Sequence, residues 1–124
     1  MKINERQLYD VTILDLQGRF ILGEDRQFGE LLDNSIDNGV RKLIVNLGNV
    51  EYVDSTGLGQ LISGYLAMQR VEGHFKLLHI KENLMKLLVV TKLVTVFETF
   101  DSESAAISSF TSDQKQPSSL PETG

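Results

Sequence analysis

The chain has 124 residues, of which 41% are hydrophobic and 23% charged, and these values are typical of one globular domain with a packed core. Its formal net charge is −5 and its twelve Lys and Arg residues are scattered, so it lacks the basic patch that nucleic acids and anionic membranes attract. There is no cysteine, which excludes disulfides and thiolate metal sites and is compatible with a reducing compartment.

The sequence gives no indication of export or membrane insertion. Residues 1–6 contain an acid and are followed by no apolar run, unlike a secretory signal. The longest apolar run, residues 87–90, is far below the roughly 20 residues that span a bilayer. We therefore expect a cytoplasmic protein that is not inserted in a membrane.

The N-terminal quarter predicts a β-hairpin followed by a helix. Residues 8–16 are rich in β-formers with partial alternation, and a short strand at residues 3–7 precedes them and can pair with them. Gly18 is expected to end the second strand. From Glu24 onward apolar residues recur at helical spacing, and Gly39 stands where a helix C-terminus favours glycine. This pattern indicates a helix of about four turns.

The central part of the chain predicts a buried strand, a helix and another strand. Residues 43–47 form a short, almost wholly apolar run, which suits a strand covered on both faces as in a parallel sheet. A turn is expected at residues 48–49. Residues 58–66 then show helical periodicity, closed near Gly73, and residues 75–80 read as the next strand.

The last part of the globular region predicts two more helices and one more strand. Asn83 can cap a third helix, residues 94–97 suggest a short strand, and a fourth helix starts near Ser102 and reaches Phe110. Strands that alternate with helices indicate βα units and a mostly parallel sheet. We therefore predict one α/β domain over residues 1–110, with four or five strands, an N-terminal hairpin and about four helices.

The composition changes after Phe110. Residues 111–124 have no apolar periodicity and are predicted to form a flexible tail. The last five residues, 120–124, match the LPxTG signal of sortases, but the apolar segment, basic tail and secretion signal of a cell-wall anchor are not present. We interpret the match as an engineered ligation tag, with chance in a Ser- and Pro-rich tail as the alternative.

Enzyme signatures do not explain this sequence. His74 and His79 lie five residues apart across a predicted strand, so they should point to opposite faces and not share a metal. The sequence contains no GxSxG nucleophile elbow, no Walker A loop and no GxGxxG dinucleotide-binding motif. The segment from Asp54 to Gly57 is superficially similar to the aspartic protease motif, but its glycine comes one residue too late and a helix follows. We therefore expect no catalytic residues, no metal and no cofactor.

The segment from Asp54 to Gly59 stands at the junction of a strand and a helix. Asp54 or Ser55 can serve simply as an N-cap, because both side chains accept hydrogen bonds from the first helical amides. Gly57 and Gly59 each cost about 1 kcal/mol of helix propensity relative to alanine, and close approach of another backbone or protein to this end would explain them. From the residues alone, this segment can be either a functional site or simply the N-cap of a helix.

The chain resembles the STAS domain family, especially the bacterial anti-sigma factor antagonists. The resemblance covers residues 3–110 and is sharpest in residues 43–47 and 53–59, where the family has Asp-Ser-Ser/Thr-Gly-Leu-Gly after the central strand. It implies that Ser55 is phosphorylated, and that Thr56 is a helix cap or a secondary phosphosite. The partner-binding residues that it implies are Asp54, Ser55, Thr56, Gly57, Leu58 and Gly59.

The resemblance also implies a partner-switching cycle. An anti-sigma factor with serine kinase activity would phosphorylate the chain, a protein phosphatase would restore the serine, and only the unphosphorylated form would bind the anti-sigma factor and free the sigma factor. The acidic residue that many members carry near the phosphoserine is displaced here, and Glu24 and Asp25 are the candidates for its place. We expect a monomer or weak dimer, with no direct nucleic-acid contact.

A second function is compatible with the same resemblance. STAS domains also serve as scaffolds or as regulatory subunits of transporters, and those versions often lack a phosphorylatable serine at this position. Ser55 therefore favours the phosphorylation switch. Of the three functions considered, phosphorylation switch, scaffold and enzyme, the sequence supports an enzyme least.

Overall fold

The computed structural model describes residues 1–118, with side chains described for residues 1–111. Its elements in chain order are β1 (Lys2–Leu8), β2 (Val11–Phe20), α1 (Arg26–Asp37), β3 (Lys42–Val53), α2 (Ser55–Arg70), β4 (His74–Leu78), α3 (Glu82–Val90), a 3₁₀ turn (Leu93–Thr95), β5 (Glu98–Phe100) and α4 (Glu103–Ser118). The five strands form one sheet in the order β1-β2-β3-β4-β5. Within the described residues no helix is long and apolar enough to cross a membrane.

The sheet is antiparallel only at its first pair. β1 and β2 form a hairpin, whereas β2, β3, β4 and β5 run parallel to one another and are joined by helical crossovers. This arrangement confirms the predicted α/β class, the N-terminal hairpin and the mostly parallel sheet. The hairpin turn places Tyr9 at a φ of 58°, a conformation that bulky residues rarely adopt.

The side chains of the strands alternate between two hydrophobic clusters. The larger cluster lies between the sheet and helices α1, α2 and α3, and includes Leu14, Val45, Phe28, Leu61 and Leu88. The smaller cluster lies under α4 and consists of Val11, Ile13, Ile44, Leu78, Ala106 and Phe110. Both faces of the parallel strands are thus covered, which explains why their central residues read as continuous apolar runs.

The surface of the sheet that α4 covers, called here the α4 face, also contains charged side chains. Lys76 is fully buried there, with its Nζ 2.7 Å from Ser109 Oγ and 4.2 Å from the centre of the Phe110 ring. Arg6 binds Asp15 through its Nε at 2.5 Å and Glu103 through its Nη2 at 2.7 Å. The arginine therefore joins the hairpin to the first turn of α4.

The predicted ends of β2 and β3 are wrong, because both strands continue through an irregularity in their pairing instead of stopping there. β2 does not end at Gly18 but continues to Phe20, and the predicted turn at residues 48–49 is part of a continuous β3. The ladder between these strands instead shifts register between Asp15 and Gln17 and between Gly18 and Arg19. Such bulges absorb an extra residue while the strands stay paired.

Two predictions in the C-terminal part are also wrong. Residues 94–97 do not form a strand: Leu93–Thr95 is a 3₁₀ turn, and β5 follows at Glu98–Phe100. Asn83 does not cap α3, because Lys81 occupies the N-cap position without a side-chain cap hydrogen bond. The β-branched run at residues 94–96 favours a strand locally, but the chain needs a turn there to return β5 to the sheet edge.

The last helix covers part of the segment that we predict as a tail. α4 extends to Ser118, with Ala106 and Phe110 buried against the sheet. Residues 119–124, which include the whole LPxTG match at residues 120–124, lie outside the described residues. The ligation tag and the flexible tail therefore stay predictions.

Candidate functional site

The start of α2 is capped by an aspartate. Asp54 follows the end of β3 in an extended conformation, with φ −92° and ψ −174°, and its Oδ1 accepts a hydrogen bond from the Gly57 amide at 2.9 Å. Its backbone carbonyl accepts the Leu58 amide at 2.9 Å. Asp54 is therefore the N-cap, and Ser55 is the first residue inside the helix. The sequence allowed either Asp54 or Ser55 to cap the helix, and the structure assigns the cap to Asp54.

The same aspartate joins the helix to the loop after β2. Its Oδ2 accepts a hydrogen bond from the Leu22 amide at 3.0 Å, and its own amide donates to the Phe20 carbonyl at 3.2 Å. Hydrogen bonds from the backbone amides of Gly57 and Leu22 hold the pKa of Asp54 below its ordinary value. The carboxylate is therefore ionised at neutral pH and fixes the start of α2 against β2.

The two glycines of the motif have different surroundings. A Cβ on Gly57 would lie 2.2 Å from the Phe20 carbonyl oxygen and 3.0 Å from the Phe20 ring, so only glycine fits there. A Cβ on Gly59 would meet nothing within 4 Å. Close approach thus explains Gly57, but the approaching backbone belongs to this chain's own β2. Gly59 instead leaves an open, exposed patch in the first turns of α2.

The serine is accessible, whereas its neighbours are less so. Ser55 is exposed, and its hydroxyl has no hydrogen-bond partner in the part of the chain whose side chains are described. Thr56 is half-buried, and Leu58 is buried in the larger hydrophobic cluster at 9% exposure. Among the motif residues the outer surface therefore consists mainly of Ser55 and Gly59. Leu58 serves the core.

The two candidate acids lie in the loop that Asp54 holds. The Glu24 carboxylate forms an ion pair with the amino group of Met1. Asp25 accepts hydrogen bonds from the Gly23 amide at 3.1 Å and from the Gln60 side chain of α2 at 3.3 Å. Both acids are thus engaged away from the serine hydroxyl, and their role as its acidic neighbours stays a prediction.

The histidines occupy separate environments. His74 begins β4 and its ring lies edge-on to Phe110, with centroids 6.1 Å apart. His79 follows β4 at a φ of 59° and packs beside Gly48. Within the described residues, no group of three or more His, Cys, Asp or Glu side chains is placed to hold a metal ion.

Two exposed apolar residues flank the site, and the sequence did not single them out. Leu22, whose amide binds Asp54, is 75% exposed, and Tyr52, two residues before Asp54, is 53% exposed. An isolated leucine in a loop and a tyrosine in a strand carry no distinctive pattern. Their value as surface residues emerges only from their position beside the start of α2, where exposed apolar groups favour a protein partner.

A β-hairpin that leads into a parallel sheet, with an exposed serine directly after an aspartate-capped helix start, defines the fold and the candidate site of this α/β domain. The STAS domain model matches residues 2–106, and the chain belongs to the STAS domain family.

Known relatives share the length and the fold of this chain. BtrV of Bordetella bronchiseptica, which carries the name of an anti-sigma factor antagonist, is 24% identical over 110 residues, which cover 89% of this chain and 95% of BtrV. A crystal structure of a Thermotoga maritima protein that carries the anti-sigma factor antagonist name superposes with a TM-score of 0.82 at 23% identity, covering 86% of this chain and 92% of that one. The phosphorylated form of SpoIIAA, a Bacillus cell fate determinant, superposes with a TM-score of 0.72 at 18% identity, covering 88% and 99%.

Proposed function

We propose that this chain is an anti-sigma factor antagonist that is switched by phosphorylation of Ser55. In its unphosphorylated form it binds an anti-sigma factor with serine kinase activity and releases a sigma factor, and a phosphatase restores that form. The observation that carries the proposal is the geometry at the start of α2. Asp54 already caps the helix, so the exposed Ser55 hydroxyl is not needed for folding and is available for modification.

The helix start can hold a phosphate without unfolding. A phosphoserine adds a charge of about −1.5 to −2 at neutral pH. The positive end of the α2 helix dipole favours an anion at this place. Asp54, which is ionised, opposes it. Because these influences act in opposite directions, the modification should change the surface charge and leave the fold nearly as it is.

The effect of the phosphate should therefore fall on the partner. Ser55 and Gly59 are the exposed members of the motif, and a protein seated on them would meet a bulky dianion next to the Asp54 carboxylate. Like charges brought together at an interface cost several kcal/mol. That cost is equivalent to a loss of affinity of at least about 100-fold.

The names of the relatives agree with this role. BtrV carries the name of an anti-sigma factor antagonist, and SpoIIAA has been solved in a phosphorylated form. A regulatory protein that acts by binding needs no catalytic cleft, and we propose no enzymatic activity. The accessible serine is what favours the phosphorylation switch over a scaffold that works without one.

The proposal is tested by phosphorylation and by binding. Purified protein is incubated with ATP and each anti-sigma factor kinase encoded in the same genome, and the phosphate is located by mass spectrometry. We expect phosphate on Ser55, none on a Ser55→Ala variant, and unchanged labelling of a Thr56→Val variant.

Binding supplies the second half of the test. Ser55→Asp should weaken the complex with the kinase strongly, whereas Ser108→Asp should not, because Ser108 is exposed on α4, which covers the opposite face of the sheet. Phosphate at another residue, together with wild-type affinity of the Ser55→Asp variant, would overturn the proposal.

A further inference from the structure

β3 is longer than the strand beside it. β4 pairs with β3 only as far as Asn46, whereas β2 follows it to Val53. The β4 side of the last part of β3 therefore has no strand neighbour within the described sheet. The loop after β4 covers only its beginning, where a Cβ on Gly48 would lie 3.2 Å from the His79 side chain. Residues 50–53 therefore form a strand edge without a strand partner on the β4 side, called here the open edge of β3, and Glu51 and Tyr52 are exposed on it.

An apolar groove runs beside this open edge. It has a volume of about 250 Å³ and lies between the end of β3 and helix α3. Its apolar lining consists of Leu47, Val50, Val53, Leu84 and Leu87. A cavity of about 150 Å³ accommodates benzene, so this groove has room for one large aliphatic or aromatic side chain.

The polar rim of the groove adds a charge preference. Lys81 lines the groove at the start of α3, is exposed, and forms no ion pair with a carboxylate of the described chain. The positive end of the α3 dipole also lies at the start of this helix and likewise favours a negative charge there. The nearest acid of α3, Glu82, is paired with Lys86 at 3.5 Å along the helix, and Glu51 lines the β3 side of the groove. The α3 side of the rim thus favours a carboxylate.

We propose that an extended segment of the anti-sigma factor kinase docks on the open edge of β3. Its backbone pairs with residues 50–53, one large apolar side chain fills the groove, and an adjacent carboxylate binds Lys81. Addition of a strand to an open edge is a common mode of peptide recognition, in which backbone hydrogen bonds give affinity and side-chain pockets give specificity. The exposed Tyr52 side chain would pack on the added segment.

This inference rests on the proposed function and deepens it. The groove reaches Val53, two residues before Ser55, so the docked segment and the phosphorylation site share one surface. A phosphate on Ser55 would therefore add negative charge to the surface on which the segment lies.

The experiment measures the affinity of the anti-sigma factor kinase for charge-reversed variants of the intact chain. Lys81→Glu should weaken the complex roughly tenfold or more, mainly through slower association at low salt. It should not harm folding, because an acid at a helix start is favourable. Lys92→Glu is the control, because it makes the same charge change at an exposed lysine just beyond the other end of α3 and outside the groove, and its affinity should stay within about twofold of wild type.

Hydrogen exchange of the backbone amides tests the strand addition directly. The edge-facing amides among residues 50–53 should exchange quickly in the free protein and slowly in the complex. Equal affinities for Lys81→Glu and wild type, or no slowing of exchange at residues 50–53, would overturn the docking proposal.

A Ser55→Asp variant measured in the same series separates the two proposals. If Ser55→Asp weakens binding and Lys81→Glu does not, only the docking site is wrong. If Lys81→Glu weakens binding and Ser55→Asp does not, the phosphorylation switch is wrong and the docking site stands.

Discussion

The start of α2 and the α4 face of the sheet both contain charged groups, but the two regions differ in how those groups are surrounded. At the start of α2 the ionised Asp54 is held by backbone amides, and the serine beside it is exposed and without a partner among the described side chains. On the α4 face Lys76 is fully buried and Arg6 binds two carboxylates at once.

The difference shows where the fold tolerates a change of charge. Removing one member of a partly buried ion pair leaves the charge of its partner uncompensated, which lowers the stability of the fold. Adding a charge to an exposed helix start is inexpensive, because water and the helix amides solvate it. A reversible modification can therefore act at the start of α2 without endangering the fold, whereas the α4 face serves to fix α4 on the sheet.

The largest expected effect tests how rigidly the start of α2 is held from inside. Gly57→Ala should destabilise the protein by about 3 kcal/mol, because the new methyl group would lie 2.2 Å from a backbone oxygen of Phe20, which cannot move aside easily. Urea unfolding measures the change. Gly59→Ala is the control: its methyl group meets open space, so it should stabilise α2 by up to about 1 kcal/mol. Equal stabilities for the two variants would contradict the difference between these glycines.

The next effect concerns the ion pairs of the α4 face. Arg6→Leu should destabilise the protein by about 1–2 kcal/mol, between the values for exposed and buried pairs, because it leaves Asp15 and Glu103 without their shared partner. Arg19→Leu removes an exposed arginine that has no ion pair in the described chain, and should stay within about 0.5 kcal/mol of wild type. If both variants unfold at the same urea concentration, the Arg6 contacts do not stabilise the fold.

The same ion pairs predict how stability depends on pH. Burial raises the pKa of Asp15, but hydrogen bonds from Arg6 and Asn46 outweigh it and hold that pKa below its ordinary value of 3.8. A hydrogen bond from Arg6 likewise lowers the pKa of Glu103 from its ordinary value of 4.5. A carboxyl with a lowered pKa in the folded state stabilises the fold above its unfolded pKa and loses this contribution as the pH falls through its folded pKa.

Wild-type stability should therefore fall more steeply than that of Arg6→Leu as the pH falls below about 4.5, and the two should differ by a constant amount between about pH 6 and 8. Urea titrations at a series of pH values measure this difference. A gap between the two proteins that persists unchanged to pH 3 would show that Arg6 acts through packing and not through charge.

The fold was largely predictable because its periodicities are regular. The apolar run at residues 43–47 and the helical spacing from Leu58 onward place β3 and α2 correctly, and together they predict a parallel sheet. The failures occur where tertiary contacts override local preference. The β-branched residues 94–96 favour a strand, yet they form and follow a 3₁₀ turn that begins just after Lys92 in a left-handed conformation.

The site was predictable in position but not in detail. Asp54 and Ser55 are equally good N-caps by residue type, and only the hydrogen bond to Gly57 shows which one caps the helix. Gly57 and Gly59 are likewise equivalent in sequence, and the approach of Phe20 from a distant strand distinguishes them. The open edge of β3 could not be predicted from the sequence, because it depends on the residue at which β4 stops pairing with β3.

The smallest expected effect is at the serine itself. Ser55→Ala should change the free energy of unfolding by less than about 0.5 kcal/mol, because the side chain is exposed and Asp54 already supplies the cap. Asp54→Ala, which removes the cap and the bond to Leu22, should be clearly less stable than Ser55→Ala. Urea unfolding of the two variants compares these adjacent positions directly. A Ser55→Ala variant that is as unstable as Asp54→Ala would mean that the hydroxyl has a structural role, and that phosphorylation would disturb the fold as well as the partner.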